Sequence, residues 1–198
     1  MYFDIFSISY SISSLACFIT DYFFPEKRVN SVTKEKVLKD YKAMIPLVSF
    51  NLALSYPIFE YSEKYIENNS NHINYFLYFI YWLIFADLIF FTSHYLHHKP
   101  KFYQYIHSIH HRYRYTYGMG AIYAHPLDHL SINLFSTFLP IIVYPPNREM
   151  AIFIIIFSSS YTVIISHGCY KIFSKSHLRH HLRYKTDFGL FLTDKIFI

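Results

Sequence analysis

Five apolar runs divide the chain, and polar or charged segments separate them. The runs cover residues 5–24, 44–59, 73–91, 130–144 and 150–166. Because a membrane-spanning helix needs about 20 apolar residues, only the first and third runs reach that length. The other three are expected to be kinked, or to form a hairpin that enters the bilayer and returns. The pattern predicts an all-α, integral-membrane helical bundle with about four to five membrane helices.

The composition favours lipid over water as the main surroundings of the chain. Hydrophobic residues make up 53%, aromatic residues 22% and charged residues 16% of it, whereas about a quarter of a soluble domain is charged. The net charge of +5 comes from residues beside apolar runs. This placement argues against a nucleic-acid partner and favours contact with lipid headgroups. Cys17 and Cys169 have no CxxC partner, which excludes a cysteine zinc site.

Histidines recur at helical spacing in three segments. The first segment has an i, i+4 pair, and the other two each have an i, i+3, i+4 set. They comprise His94 and His98; His107, His110 and His111; and His177, His180 and His181. Positions at these spacings share one face of a helix. Because a neutral imidazole binds a metal through one nitrogen, these eight nitrogens can surround two metal ions. An all-imidazole set suits Fe, Zn, Cu or Ni.

The charges of the loops predict on which side of the membrane the histidines lie. The loop after the first run has more basic than acidic residues, whereas the loop after the second has Glu60, Glu63 and Glu67 against Lys64. The positive-inside rule places the first loop in the cytosol. The third run then returns to the cytosol, and the hairpin of the last two runs comes back to the same side. The histidine segments are therefore expected to form a cytosolic helical cap.

The histidine segments and their surroundings resemble the fatty acid hydroxylase/sterol desaturase superfamily. Its pattern is an Asp seven residues before HxxxH, then HxxHH, an Ala-His-Pro-Leu-acidic segment, and a late HxxHH followed by Phe-Gly. This chain has Asp87, "AHPLD" at 124–128 and "DFG" at 187–189 around its histidine segments. The resemblance covers about residues 75–198, and the combined spacing is specific.

The resemblance implies a membrane-bound, non-haem di-iron oxygenase at the endoplasmic reticulum or an equivalent membrane, with two iron ions. It divides the chain into N-terminal membrane helices and loops (1–72) and a catalytic domain (73–198). It adds His125 and His167 to the metal-binding histidines, and His129 is either a ligand or a support for the ligands. Asp87 lies on the same helix face as His94. It is expected to orient a ligand histidine, because an acid inside a membrane helix needs a partner.

An enzyme of this kind would hydroxylate or desaturate a lipid C–H bond with O2. A sterol or a fatty acyl lipid would enter between aromatic-rich helices, and by analogy "HPLD" favours the sterol side. The chain has four glycines and no GxGxxG motif. The resemblance therefore implies cytochrome b5 or a similar electron donor, together with an NAD(P)H reductase.

Two alternatives stay open. A zinc-dependent membrane hydrolase would need a general base, commonly within HExxH, and the chain lacks that motif. A catalytically inactive homologue or a metal-binding membrane protein is favoured by departures from the superfamily pattern. Tyr95 replaces a common Arg, Ile122 replaces an acidic residue, and "LTDKIFI" at 192–198 replaces the usual C-terminal element.

Overall fold

The computed structural model describes residues 1–69, 71, 74–172, 176–184, 186–189 and 193. The boundary expected between residues 72 and 73, the start of the third run at 73, and most of segment 192–198 lie outside these ranges. Within them the regular structure is helical, and the one extended pairing is a bridge between Arg28 and Tyr170. The all-α fold expected from the apolar pattern is confirmed.

Five helical stretches are long and apolar enough to cross a membrane. The first three are α1 (Tyr2–Phe23), α2 (Lys34–Asn69) and α3 (Tyr75–His97). The short helix α4 (Pro100–Tyr105) follows. The fourth stretch joins α5 (Pro126–Asp128), the π-helix His129–Leu134 and α6 (Phe135–Val143), and the fifth joins α7 (Arg148–Ser160) to the π-helix Tyr161–Ser166. The last helix is α8 (Ser176–Arg183).

The expectation that the second run is short is wrong. It is the middle of α2, a helix of 36 residues that continues through Pro46 and Pro57. The apolar pattern missed its length because the ends of α2 are rich in charged residues. The fourth and fifth stretches follow each other through a short turn, and each is long enough to cross the bilayer.

The five stretches alternate in direction, so the bundle has two distinct ends. At one end the amino group of Met1 contacts Glu63 at 3.2 Å, and the Tyr78 hydroxyl donates to the Tyr144 carbonyl at 2.7 Å. At the other end the Val29 amide donates to the Cys169 carbonyl at 3.0 Å. The second end, called here the histidine end, holds the C-termini of α1, α3 and the fifth stretch and the N-termini of α2 and α5.

A buried ion pair connects the loops of the histidine end. Arg28 is 2% exposed and donates from Nη1 to Asp21 at 2.6 Å and from Nη2 to the Thr116 carbonyl at 2.9 Å. The Tyr41 hydroxyl donates to the same carboxylate at 2.9 Å. Arg28 is therefore not an exposed cation of this loop, because its charge is neutralised inside the protein.

Candidate metal centre

The histidine end brings nine imidazoles together in two groups. Within each group the candidate ligand atoms all lie within 4.8 Å of one another. The first group consists of His94, His98, His107, His111 and His180. The second group consists of His110, His167, His177 and His181. All eight histidines found by spacing, and His167, are therefore adjacent in the structure.

The two HxxHH segments each contribute to both groups. Residues His107–Arg112 form a 3-10 helix instead of an α-helix. His107 and His111 belong to the first group, whereas His110 belongs to the second. On α8 the middle histidine, His180, belongs to the first group, whereas His177 and His181 belong to the second. The spacing predicted convergence of the imidazoles, but it did not predict this division.

Hydrogen bonds fix the tautomers of three imidazoles in the first group. His94 donates from Nδ1 to the Phe188 carbonyl at 2.8 Å. His180 does the same to the Thr186 carbonyl at 2.7 Å, and His107 donates to the Asp128 carboxylate at 2.8 Å. Because carbonyl and carboxylate oxygens accept, the ring hydrogen lies on Nδ1. Each Nε2 therefore carries a free lone pair.

These lone pairs point at one another. The Nε2 atoms of His94 and His107 are 3.0 Å apart, and those of His111 and His180 are 3.1 Å apart. Two neutral imidazoles in these tautomers have no hydrogen to share at this distance, so their contact is repulsive unless a cation lies close to both. Two nitrogens bound to one metal at about 2.1 Å are about 3.0 Å apart at a right angle. The donors of the first group therefore fit a metal ion.

The distances between donor nitrogens in the second group also fit a metal ion. His110 donates from Nδ1 to the Tyr123 carbonyl at 3.3 Å, and His167 donates to the Thr162 carbonyl at 2.9 Å. Their Nε2 atoms are 3.4 Å apart, close to the separation of two tetrahedral ligands. Among the described residues, Nδ1 of His177 and of His181 is buried without a hydrogen-bond partner. Their Nε2 atoms are 3.1 Å apart, at the centre of the group.

Burial keeps imidazoles of both groups neutral, as His98, His110 and His180 show. Burial, followed by repulsion from His107, lowers the pKa of His98 to about 2 and that of His110 to about 4. Burial lowers the pKa of His180 to about 3. At neutral pH such groups carry no proton that a metal would have to displace. The site is therefore prepared to bind cations with uncharged nitrogen donors.

Two of the expected site residues lie outside both groups. His125 is at the N-terminus of α5, where its Nδ1 accepts a hydrogen bond from the Leu127 amide at 3.2 Å. Asp87 is buried in α3, and its carboxylate accepts from the Thr193 amide at 2.8 Å. Asp87 therefore contacts the C-terminal segment, which also supplies carbonyl acceptors to the first group.

Sequence patterns assign no specific role to Asp128, although this residue directly orients His107. It ends the "AHPLD" segment, 21 residues after its partner, so no helical periodicity connects the two. His129, the next residue, is completely buried and lies in neither group. Its Nε2 is 2.9 Å from the Ser55 hydroxyl. This contact connects the π-helix that follows Asp128 to α2, and residue spacing could not predict it.

A small recess of about 10 Å³ lies beside the histidines. Phe90 and Asn133 line this recess together with His107, His110 and His177. The same two residues also line an inner cavity between α1, α3, α6 and α7. A molecule in the inner cavity is therefore adjacent to the candidate metal centre.

Comparison with known proteins identifies the same part of the chain. The fatty acid hydroxylase family matches residues 79–198. The chain is 32% identical to fatty acid hydroxylase ahd1 of Mycosarcoma maydis over 120 residues, which are 56% of this chain and 30% of that protein. It is also 32% identical to the human fatty acid hydroxylase domain-containing protein 2 over 114 residues, 54% of this chain and 33% of that protein.

A shorter match links the chain to C-4 methylsterol oxidase erg25 of Schizosaccharomyces pombe. The two are 39% identical over 51 residues, 26% of this chain and 17% of the oxidase. The chain spans about a third of the length of the first two relatives, and no solved structure gives a significant match. Because the family match covers more than half of the chain and contains both histidine groups, this protein belongs to the fatty acid hydroxylase family.

Proposed function

We propose that the chain is a membrane-embedded, non-haem di-iron oxygenase that hydroxylates or desaturates a lipid C–H bond with O2. The observation that carries this proposal is the convergence of imidazole lone pairs into two buried groups at one end of an apolar bundle. Membership of the fatty acid hydroxylase family supports it. The names of the relatives, a fatty acid hydroxylase and a methylsterol oxidase, support it as well.

Each histidine group would hold one iron ion. Nitrogen donors of this kind also suit zinc, copper and nickel, so iron follows from the chemistry of the family. Bound irons would supply the O2-derived oxidising power that breaking an unactivated C–H bond requires, which amino-acid side chains cannot provide. We propose the nine grouped histidines as ligands. His125, whose Nδ1 is engaged with the Leu127 amide, would instead stabilise the start of α5.

The other residues of the site would hold these ligands in position. Asp128 orients His107, and the carbonyls of Thr186 and Phe188 keep His180 and His94 in the metal-binding tautomer. Asp87 accepts a hydrogen bond from Thr193 in the same C-terminal segment. We therefore assign Asp87 an indirect role, in which it fixes the segment that orients two of the ligands.

The surroundings of the site support a lipid substrate and an external electron donor. The inner cavity is lined largely by apolar and aromatic side chains and reaches the histidines at Phe90 and Asn133. A sterol and a fatty acyl lipid are both compatible with the names of the relatives. Residues 73–198 would form the catalytic domain. Cytochrome b5 or a similar protein, reduced by an NAD(P)H reductase, would supply the electrons.

The distribution of charge supports a cytosolic position for the histidine end. Lys27 and Lys34 lie at that end, whereas Glu60 and Glu67 lie toward the opposite end of α2. Because basic residues are retained on the cytosolic side of membranes, we propose that the histidines face the cytosol. The membrane would be that of the endoplasmic reticulum or its equivalent.

Lipid analysis of cells with and without the chain tests the proposed function. The wild-type chain should produce lipids that have gained one oxygen atom or lost two hydrogen atoms, detected by mass spectrometry. His110→Ala should abolish these products without preventing membrane insertion, because it removes a nitrogen of the second group. His125→Ala is the matched control and should retain activity. An unchanged lipid profile with iron-loaded protein, or full turnover by His110→Ala, would contradict the proposal.

A further inference from the structure

Most hydrogen-bond donors on the polar wall of the inner cavity already bond to the protein itself. Eight side chains supply the hydroxyl and indole groups of this wall: Tyr10, Trp82, Ser136, Thr137, Ser158, Ser159, Tyr161 and Thr162. Tyr10 donates to the Met119 carbonyl at 2.6 Å and Trp82 donates to the Thr137 carbonyl at 3.1 Å. Ser136, Thr137, Ser158, Ser159 and Thr162 donate to carbonyls of their own helical stretches at 2.6–3.3 Å. These seven groups therefore offer a ligand oxygen lone pairs or an aromatic face, because their N–H and O–H hydrogens bond to protein carbonyls.

Asn133, which lines both the inner cavity and the recess, also directs its donor hydrogens to protein acceptors. Its amide nitrogen is 3.2 Å from the Ala121 carbonyl and 3.3 Å from Nδ1 of His129. The Ser55 hydroxyl donates to the Asn51 carbonyl at 2.8 Å, so it can only accept from Nε2 of His129. Nδ1 of His129 is therefore an acceptor, and it receives the second amide hydrogen of Asn133.

The orientation of the Asn133 amide follows from these contacts. Both hydrogens on its nitrogen are directed to protein acceptors, so Oδ1 is the atom left for the cavity. In the described part of the chain no donor reaches this oxygen, although the residue lines both the cavity and the recess. The Oδ1 atom of Asn133 is thus an acceptor without a protein donor, at the place where the inner cavity meets the recess beside the histidines.

We propose that Asn133 is the centre of a binding site for a hydrogen-bond donor on the substrate, a hydroxyl or an amide N–H near the carbon that reacts. This inference rests on the proposed function and narrows its substrate class. A hydroxyl would satisfy Oδ1 of Asn133. A carbonyl or carboxylate in the same place would face the lone pairs of Oδ1, and a buried acceptor left without a donor is costly. Sites built in this way discriminate strongly against analogues that lack the matching group.

The rest of such a ligand has a place on the outer side of the bundle. A groove of about 420 Å³ lies between α1 and α2, and Tyr10 lines both this groove and the inner cavity. The inner cavity is smaller, about 60 Å³, roughly the space of two water molecules in the liquid. It would receive the polar group and the nearest carbons while the apolar chain occupies the groove.

The single tryptophan of the chain allows a direct binding test, because Trp82 lines the inner cavity. Quenching of its fluorescence by bromine-labelled lipids can be measured on the purified, metal-loaded chain without an electron donor. The probes are bromine-labelled forms of two pairs of compounds. One pair is hexadecanol and its methyl ether, and the other is the N-methyl and N,N-dimethyl amides of hexadecanoic acid. Each pair differs in one hydrogen-bond donor. The donor-bearing member of a pair should bind about tenfold more tightly, the value of about one buried hydrogen bond.

Two variants show which residue causes the preference for the donor-bearing lipid. Asn133→Leu should remove the preference while leaving the affinity for the methyl ether unchanged, whereas Ser158→Ala should keep the preference. The alcohol pair and the amide pair show which donor the site accepts. Equal binding of both members by the wild-type chain, a comparison that needs no variant, would overturn the inference, as would a preference that survives in Asn133→Leu. Because no turnover is measured, either result is independent of whether the chain oxidises lipids.

Discussion

His107 donates the hydrogen on its Nδ1 to the carboxylate of Asp128 at 2.8 Å, and both side chains are almost completely buried. This contact turns the Nε2 lone pair of His107 toward His94 and His111, which lie 3.0 and 3.1 Å away. A carboxylate in this position also increases the basicity of the imidazole. The pair therefore couples a residue of α5 to the metal-binding nitrogens of the first group.

Replacing Asp128 by asparagine should weaken metal binding in the first group. The amide can still accept the hydrogen bond from His107, but the negative charge is lost. Changes of this kind typically lower metal affinity about 10- to 100-fold, which chelator competition with the purified protein measures. Asp40→Asn is the matched control, because Asp40 is buried beside Tyr117 and Lys36 and lies in neither histidine group. Equal affinities of the wild type and Asp128→Asn would show that this carboxylate does not support the site.

Removing one imidazole should affect one group. His180→Ala takes a nitrogen from the first group alone, so one of the two ions should be lost while the other is retained. Metal analysis after gel filtration measures the number of ions per chain. His125→Ala should retain both ions, because His125 belongs to neither group. Loss of the same number of ions in both variants would contradict the assignment.

The buried ion pair of Arg28 and Asp21 should matter for stability. Arg28→Met leaves the Asp21 carboxylate buried without its cation, and such changes cost about 3–5 kcal/mol. The thermal midpoint of helical circular dichroism in detergent should therefore fall clearly below that of the wild type. Lys36→Met breaks a pair whose lysine is 59% exposed, so its effect should stay within about 1 kcal/mol. Similar midpoints for the two variants would refute this role of Arg28.

The two ends of the bundle should lie on opposite sides of the membrane. Glu67 at the end of α2 and Lys101 in α4 are exposed at opposite ends, and both native cysteines are buried. In sealed microsomes, whose outer face is the cytosolic face, an impermeant maleimide should label Lys101→Cys. It should label Glu67→Cys only after the membrane is permeabilised. Labelling of both variants from the same side would rule out the proposed topology.

The sequence was sufficient to predict the helical membrane fold and nine of the ligand candidates. Apolar run length predicts helices because the bilayer imposes a minimum span, and i, i+3, i+4 spacing brings imidazoles to one region of the surface. The family pattern added His167, which spacing alone did not identify. These signals are local, or depend on a pattern learned from relatives.

Features that depend on contacts between distant residues could not be predicted in this way. The pairing of Asp128 with His107, the contact of buried Arg28 with the Thr116 carbonyl and the contact of Asn133 with the Ala121 carbonyl each join separate segments. The full length of α2 was also missed, because its charged ends extend the helix beyond the apolar run. The division of each HxxHH motif between two groups depends on the packing of α8 against the 3-10 helix.

Metal analysis of the wild-type chain, purified from iron-supplemented cells, tests most directly whether the two histidine groups form a di-iron centre. Inductively coupled plasma mass spectrometry should find close to two iron atoms for each chain. Chains that contain one zinc atom and no iron would contradict the account.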